Sequence, residues 1–337
     1  MPTRLGKYTL RLDTAPCILG NAAVVGKKEG QGPLKDEFDE IIDDGTLGED
    51  SWEKAESALQ KRAVEKAIEK SGISSDNVKL LFAGDLLSQC SGSSFGARDI
   101  GVPFVGLYGA CSTMALSLAM AALSVESGAA DIAAASTSSH FCSAEKQFRT
   151  PLEYGGQRPP TAQWTATAAG SVIVGRTEPG KPRIEAVTIG RITDLGIKDA
   201  NNMGAAMAPA ACATISDFFS DTGTAPQDYD LILTGDLGAV GTRLLKELLE
   251  KQENIDISSV HADCGLMLYQ LDEQDVNSGG SGCGCSAAVL CSNILRRMRE
   301  GELRKVLFVG TGALLSAVSP LQGETIPSIA HAVLLSV

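Results

Sequence analysis

The sequence predicts an α/β fold built from two similar halves, with mainly parallel strands and helices on both faces of each sheet. Strand-like apolar runs alternate with helix-like stretches along the chain, the pattern that builds such sheets. Leu231-Ile232-Leu233-Thr234-Gly235-Asp236-Leu237 mirrors Leu81-Phe82-Ala83-Gly84-Asp85-Leu86. A single offset of 174 positions pairs Cys111 with Cys285, Ser112 with Ser286 and Thr137 with Thr311, which argues for an internal duplication. The halves are assigned to residues 1–178 and 179–337.

The elements follow in order. Asp50 with Glu53 reads as a capping box. Trp52, Ala55, Leu59, Ala63, Ala67 and Ile68 then recur at helical spacing until Gly72. Residues 78–83 read as a buried strand ending at Gly84-Asp85. Residues 104–107 form a short strand leading into Gly109-Ala110-Cys111-Ser112, and a helix of small residues is expected over 113–126. A strand at 132–135 stops at Ser136-Thr137-Ser138-Ser139. In the second half, Gly282-Cys283-Gly284-Cys285-Ser286-Ala287 leads into a helix over 287–300, and the strand 305–309 ends at Gly310-Thr311-Gly312. The two helices beginning at Cys111 and Cys285 are expected to meet between the sheets.

Composition bounds the function. A chain of 337 residues is too long for one small core and suits two packed halves. With 44% hydrophobic and 21% charged residues it reads as an ordinary soluble globular protein. Abundant Gly (36) and few aromatics (5%) favour tight turns and close backbone packing. A formal net charge of −12 with no basic stripe excludes a nucleic-acid partner. Lys27-Lys28, Arg296-Arg297 and the acidic run 36–50 read as solvated surface. Nine Cys, an odd number, and no apolar leader after Met1 indicate reduced thiols in a cytosol-like compartment.

No charge occurs from Ile100 to Val125, a length that could span a bilayer. Pro103, three Gly and several Ser interrupt it, and its apolar residues are mostly Ala and Met. A helix covered by protein is the expectation.

A strand, a Gly-Ala-Cys-Ser turn and a buried helix, duplicated in one chain, resemble the thiolase and ketoacyl synthase superfamily over essentially the whole sequence. The resemblance implies a five-layer α/β/α/β/α fold and a homodimer. A more specific set comprises Ala83-Gly84-Asp85-Leu86-Leu87, Gly109-Ala110-Cys111-Ser112-Thr113, Gln147-Phe148-Arg149, Glu153-Tyr154-Gly155-Gly156-Gln157, Met207-Ala208-Pro209-Ala210-Ala211, His261-Ala262-Asp263-Cys264-Gly265-Leu266-Met267 and Thr311-Gly312-Ala313-Leu314-Leu315-Ser316. Together these are similar to the stage V sporulation protein AD family. That resemblance implies binding of dipicolinic acid, free or as its calcium chelate, and a role in its uptake into the developing spore. It implies partners among the membrane proteins of the same uptake assembly. The expected location is the cytoplasm, or the spore inner membrane as a peripheral protein, with no transmembrane segment and no lipidation motif.

Asp85, Cys111, Arg149, His261 and Cys283 are the candidate ligand-binding residues, and no catalytic residue is assigned. Cys111 stands where a strand turns into a helix. Free N–H groups and the helix dipole would lower its pKa and also suit a carboxylate. A small buried packing thiol is the plain alternative. The resemblance implies that His261 matches the His of the synthase branch. It also implies that Cys283 replaces the synthase Asn, which helps stabilise an enolate oxygen. A thiol is a poor donor for that task, so binding is favoured over turnover. The competing reading is an acyltransferase or ketoacyl synthase-like enzyme with Cys111 as nucleophile. The acidic charge of the chain disfavours an acidic acyl carrier protein as its donor.

Dipicolinate is a flat pyridine dianion that needs donors at both carboxylates. Arg149 or Arg158, in the polar stretch 140–163, could clamp one, or both could be solvated loop residues. Asp85 could meet the calcium of a chelate, or simply cap a turn. His261-x-x-Cys264 with Cys283-x-Cys285 offers four soft ligands at spacings unusual for zinc, and no metal is assigned. Gly279-Gly280-Ser281-Gly282 fits neither a Rossmann nor a P-loop pattern, and no cofactor is assigned.

Overall fold

The computed structural model describes residues 1–148 and 158–337. The first half supplies strands β1 (Cys17–Gly26), β2 (Leu80–Gly84), β3 (Phe104–Gly106), β4 (Ile132–Ser139) and β5 (Ala168–Gly175), with helices α1 (Trp52–Ser71), α2 (Ser91–Arg98) and α3 (Thr113–Glu126). The second supplies β6 (Arg183–Thr188), β7 (Leu231–Thr234), β8 (His261–Asp263), β9 (Lys305–Ala313) and β10 (Ser328–Ser336), with α4 (Met203–Thr222), α5 (Gly238–Leu248) and α6 (Cys283–Val289). A π turn over Leu290–Ile294 carries α6 on into Leu295–Arg299.

The two sets share one order, β3-β2-β4-β5-β1 and β8-β7-β9-β10-β6, joined where Arg183 pairs with Cys17. Each is mixed rather than mainly parallel. In the first, β2 runs parallel to β3 and β4, while β5 is antiparallel to β4 and β1. In the second, β7 is parallel to β8 and β9, while β10 is antiparallel to β9 and β6. The antiparallel strands β1, β5, β6 and β10 were not legible as strands. β1 and β5 are buried on both faces and show no alternation to mark them, while β6 alternates only over Arg183–Ala186, too short a run to stand out.

Helix α1 covers the first sheet and α4 the second, and α3 touches strands of both. Met114, Ala115, Leu118, Ala119, Ala121 and Ala122 of α3 are fully buried, so the charge-free stretch is an inner helix. Each large apolar side chain removed from water there stabilises the fold by about 1.5–3 kcal/mol. Among the described residues no helix is long and apolar enough to cross a membrane.

Several boundaries differ from expectation for local reasons. The cap of α1 is Ser51, whose Oγ accepts from Lys54 N at 3.3 Å. Asp50 instead pairs with Lys54 Nζ at 2.7 Å. Gly72 closes α1 at φ +70° as expected. Strand β4 runs on through Ser136–Ser139 because every hydroxyl there finds a buried acceptor. Ser136 donates to Gly170 O, Thr137 to Cys283 O, Ser138 to Glu56 and Ser139 to Ala166 O. Strand β9 likewise continues through Gly310-Thr311-Gly312. A Cβ on Gly312 would lie 2.3 Å from Gly109 O, so only Gly lets β9 approach the Cys111 turn. Helix α6 starts at Cys283, four residues before the expected position.

Candidate functional site

The site lies where the Cys111 turn of the first half meets strand and helix ends of the second. Ala110 adopts φ +50°, an unusual conformation for a side chain-bearing residue, and aims Cys111 inward. The turn closes on itself. Ser112 N and Ser112 Oγ both donate to Gly109 O, while Thr113 N and Thr113 Oγ1 both donate to Ala110 O.

Cys111 is buried at 5% exposure. It packs with Leu86, Ala144 and Cys283. Its Sγ is 3.8 Å from Ser281 Oγ. The expectation of an acidified thiol is reversed. Burial, then the charge of Asp236 and a hydrogen bond to it, push the Cys111 thiol well above its ordinary value. Cys283 is fully buried, donates from Sγ to Ser138 O at 3.0 Å, and is also pushed well up, by burial first and then by Cys111. Both thiols are therefore neutral at physiological pH.

Asp236, at the end of β7, is the residue the sequence reading passed over. Its Oδ2 accepts from Ser281 Oγ (3.0 Å) and Gly282 N (2.9 Å), and its Oδ1 from Thr311 Oγ1 (2.8 Å). It is fully buried, and burial raises its pKa against those bonds. The signal was present, since Asp236 occupies in the second repeat the place of Asp85 in the first. Gln163 braces it from the loop side, donating Nε2 to Asp236 O and Gly280 O, with its buried Oε1 left without a protein partner.

Asp85 is fully buried and serves its own turn. Oδ1 accepts from Leu87 N (2.8 Å), and Oδ2 accepts from Ser93 N (2.7 Å) and Ser93 Oγ (2.6 Å). A Cβ on Gly92 would lie 3.2 Å from Asp85 Oδ2 and 3.4 Å from Glu56 Cδ, so the two acids are neighbours. Burial, then the charge of Asp85, lift Glu56 to about 8.

His261 opens the edge strand β8. Its Nε2 pairs with Thr234 Oγ1 at 3.0 Å, and Thr234 Oγ1 donates to Asp263 Oδ2 at 2.7 Å. Burial lowers His261 to about 4 and raises Asp263 to about 7. No hydrogen bond among the described residues joins His261 to Cys111. Arg149 lies outside the described residues. The structure thus brings Cys111 and Cys283 together, sets Asp85 behind them, and puts Asp236 rather than His261 beside Cys111.

Tyr108 links this interior to the surface. It is 45% exposed, yet burial and the nearby Cys111, Cys283, Cys90 and Asp85 push its hydroxyl up to about 12. Cys264 and Cys285 are fully buried, and among the described residues no group of three or more His, Cys, Asp or Glu is arranged to hold a metal ion.

Comparison with known proteins places this arrangement. The family model for stage V sporulation protein AD matches residues 6–336. The chain belongs to the stage V sporulation protein AD family. Stage V sporulation protein AD of Bacillus subtilis (strain 168) is 45% identical over 328 residues, 97% of this chain and 96% of that protein. Among solved structures, 3-oxoacyl-[acyl-carrier-protein] synthase III from Aquifex aeolicus VF5 is 14% identical with a TM-score of 0.57, covering 96% of this chain and all of that one. Cerulenin-bound OleA of Xanthomonas campestris is 14% identical with a TM-score of 0.61, over 96% of this chain and 99% of its own. The tetronic acid condensing enzyme AbyA1 is 16% identical with the same TM-score, over 96% and 100%. At such identities the likeness shows a shared fold: this family member has the thiolase-like fold of condensing enzymes.

Proposed function

We propose that this sporulation protein binds dipicolinic acid, as its calcium chelate, at the junction of Cys111 and Cys283, and takes part in its uptake into the developing spore. The observation that carries the binding reading is the state of Cys111. A nucleophilic thiol needs a base or a cation beside it, whereas burial, and then the facing carboxylate of Asp236, hold this one protonated. An acyl-transferring role would require the opposite electrostatics. The ligand itself comes from the family resemblance.

The charge of the interior favours the chelate over the free dianion. Asp85 and Asp236 are buried around the two thiols and their fields act on Cys283, while Glu56, lifted to about 8, is largely protonated at neutral pH. A dianion entering there meets like charge in a low dielectric. A 1:1 calcium chelate is neutral, and its flat ring suits two small apolar thiols and a tyrosine at the mouth. Asp85 contributes by holding the turn beside Cys283, and the guanidinium of Arg149 is the cation proposed for a ligand carboxylate.

In the proposed homodimer the second copy of the chain packs on β3. All three residues of β3 are exposed, it pairs only with β2 among the described residues, and Phe104, Val105 and Tyr108 are exposed there. Partners in the membrane would then hold a protein that itself has no described membrane-spanning helix.

Titration calorimetry tests the ligand. The expected result is saturable heat at one site per chain with calcium present, and a markedly weaker signal for dipicolinate in chelator. Absence of heat in both arms overturns the proposal, and tighter binding in chelator overturns the chelate.

A further inference from the structure

Four large aliphatic side chains stand in water on two neighbouring loops of the second half: Ile192 (63% exposed), Leu195 (64%), Val318 (56%) and Leu321 (86%). The loops are fastened together. Thr193 and Ser328 exchange backbone hydrogen bonds, Ile326 N donates to Ile197 O, Lys198 Nζ to Gly323 O and Thr325 Oγ1 to Asp194 Oδ2. The base of the second loop is closed by Leu314 N to Pro327 O, directly after β9, whose Thr311 holds Asp236. Loops tied this firmly have no need of surface aliphatics for their own folding, and a cluster of them marks an interaction surface.

We propose that this face docks a second protein, one that presents an apolar groove rimmed by basic side chains. The rim on this side is acidic: Asp194, Asp199 and Glu324 are exposed around the aliphatics. Of the nearby cations, Arg191 is paired with Asp217, and Lys198, bonded to the neutral Gly323 O, offsets only one of the three acids. A second copy of the chain would bring the same acidic rim against itself. A lipid surface is disfavoured by the absence of Trp, Tyr or Phe among the four exposed side chains, and by a net charge of −12 facing anionic headgroups. An apolar groove with a basic rim meets both features. The inference holds whether or not the interior site takes dipicolinate.

The test places a photo-crosslinking residue at position 321 of the full chain, in the cells that produce it, and identifies the crosslinked peptide by mass spectrometry. The expected product is one protein, crosslinked through an apolar segment flanked by Lys or Arg. Leu195→Asp, which leaves the melting temperature unchanged, lowers its yield about tenfold, the loss that one buried Leu implies. Crosslinks to lipid alone, to another copy of this chain, or to no protein overturn the proposal. So does a protein product whose yield is indifferent to Leu195→Asp. Purified wild-type chain is expected to leave phosphatidylglycerol vesicles unbound; co-sedimentation with them that Leu195→Asp abolishes would also overturn it.

Discussion

Cys111 from the first half faces the buried carboxylate of Asp236 from the second, and burial first, then this carboxylate, push the thiol well above its ordinary value. The two residues come from opposite repeats, so the electrostatics of this corner depend on how the halves meet.

Reactivity should report this pairing. Alkylation of Cys111 by iodoacetamide at pH 8 is expected to be much slower than that of the half-buried Cys142. Asp236→Asn removes the negative charge and should speed Cys111 alkylation by roughly tenfold, about one pKa unit. An unchanged rate, followed by peptide mass spectrometry, would mean that burial alone sets the thiol.

The Glu56–Asp85 pair predicts a pH dependence. Glu56 titrates at about 8 in the folded chain against an ordinary value of 4.5, so the unfolded chain loses this proton first as pH rises. The stability it contributes is complete below about pH 4.5 and disappears as pH climbs to about 8. Urea unfolding across that range should show stability declining with pH, and Glu56→Gln should flatten the decline. An identical slope in the variant would exclude Glu56 as its source.

Much of this was legible in the sequence, and the losses have physical reasons. The Cys111 turn, the helix behind it and the Leu81/Leu231 repeat stood out because Gly, small residues and apolar runs punctuate them. The inner antiparallel strands did not, since strands such as Cys17–Gly26 and Ala168–Gly175 are buried on both faces and lack a period of two. Helix α4 went unread because Pro209 sits inside it. Cys283 was found from its place after Gly282. Asp236 was missed because His261 supplied a more familiar chemical partner for a cysteine, although the repeat itself pointed to the acid.

Close backbone approach at the junction makes Gly312 intolerant. Gly312→Val would drive a side chain into Gly109 O and the Cys111 turn, destabilising the fold by roughly 3 kcal/mol. Denaturant midpoints should fall accordingly, whereas the same change at Gly101, with nothing within 4 Å, should cost only its positive-φ strain.

The free edge at β3 predicts a salt-tolerant dimer. Val105→Glu puts a charge on that edge and should halve the mass seen in sedimentation equilibrium without lowering the melting temperature. A wild-type chain that sediments as a monomer at micromolar concentration would remove the second copy from β3.

Asp85 has its oxygens occupied by Leu87 and Ser93, so Asp85→Asn should weaken dipicolinate binding equally with and without calcium, by loosening the turn. A loss confined to the calcium arm would instead put this carboxylate on the metal.

Diffraction from crystals grown with calcium dipicolinate would locate the ligand outright. The ring should lie in van der Waals contact with both Cys111 Sγ and Cys283 Sγ, beneath Tyr108. Density for the ring elsewhere on the chain, with that junction closed and unchanged, would contradict a binding site shared by the two halves.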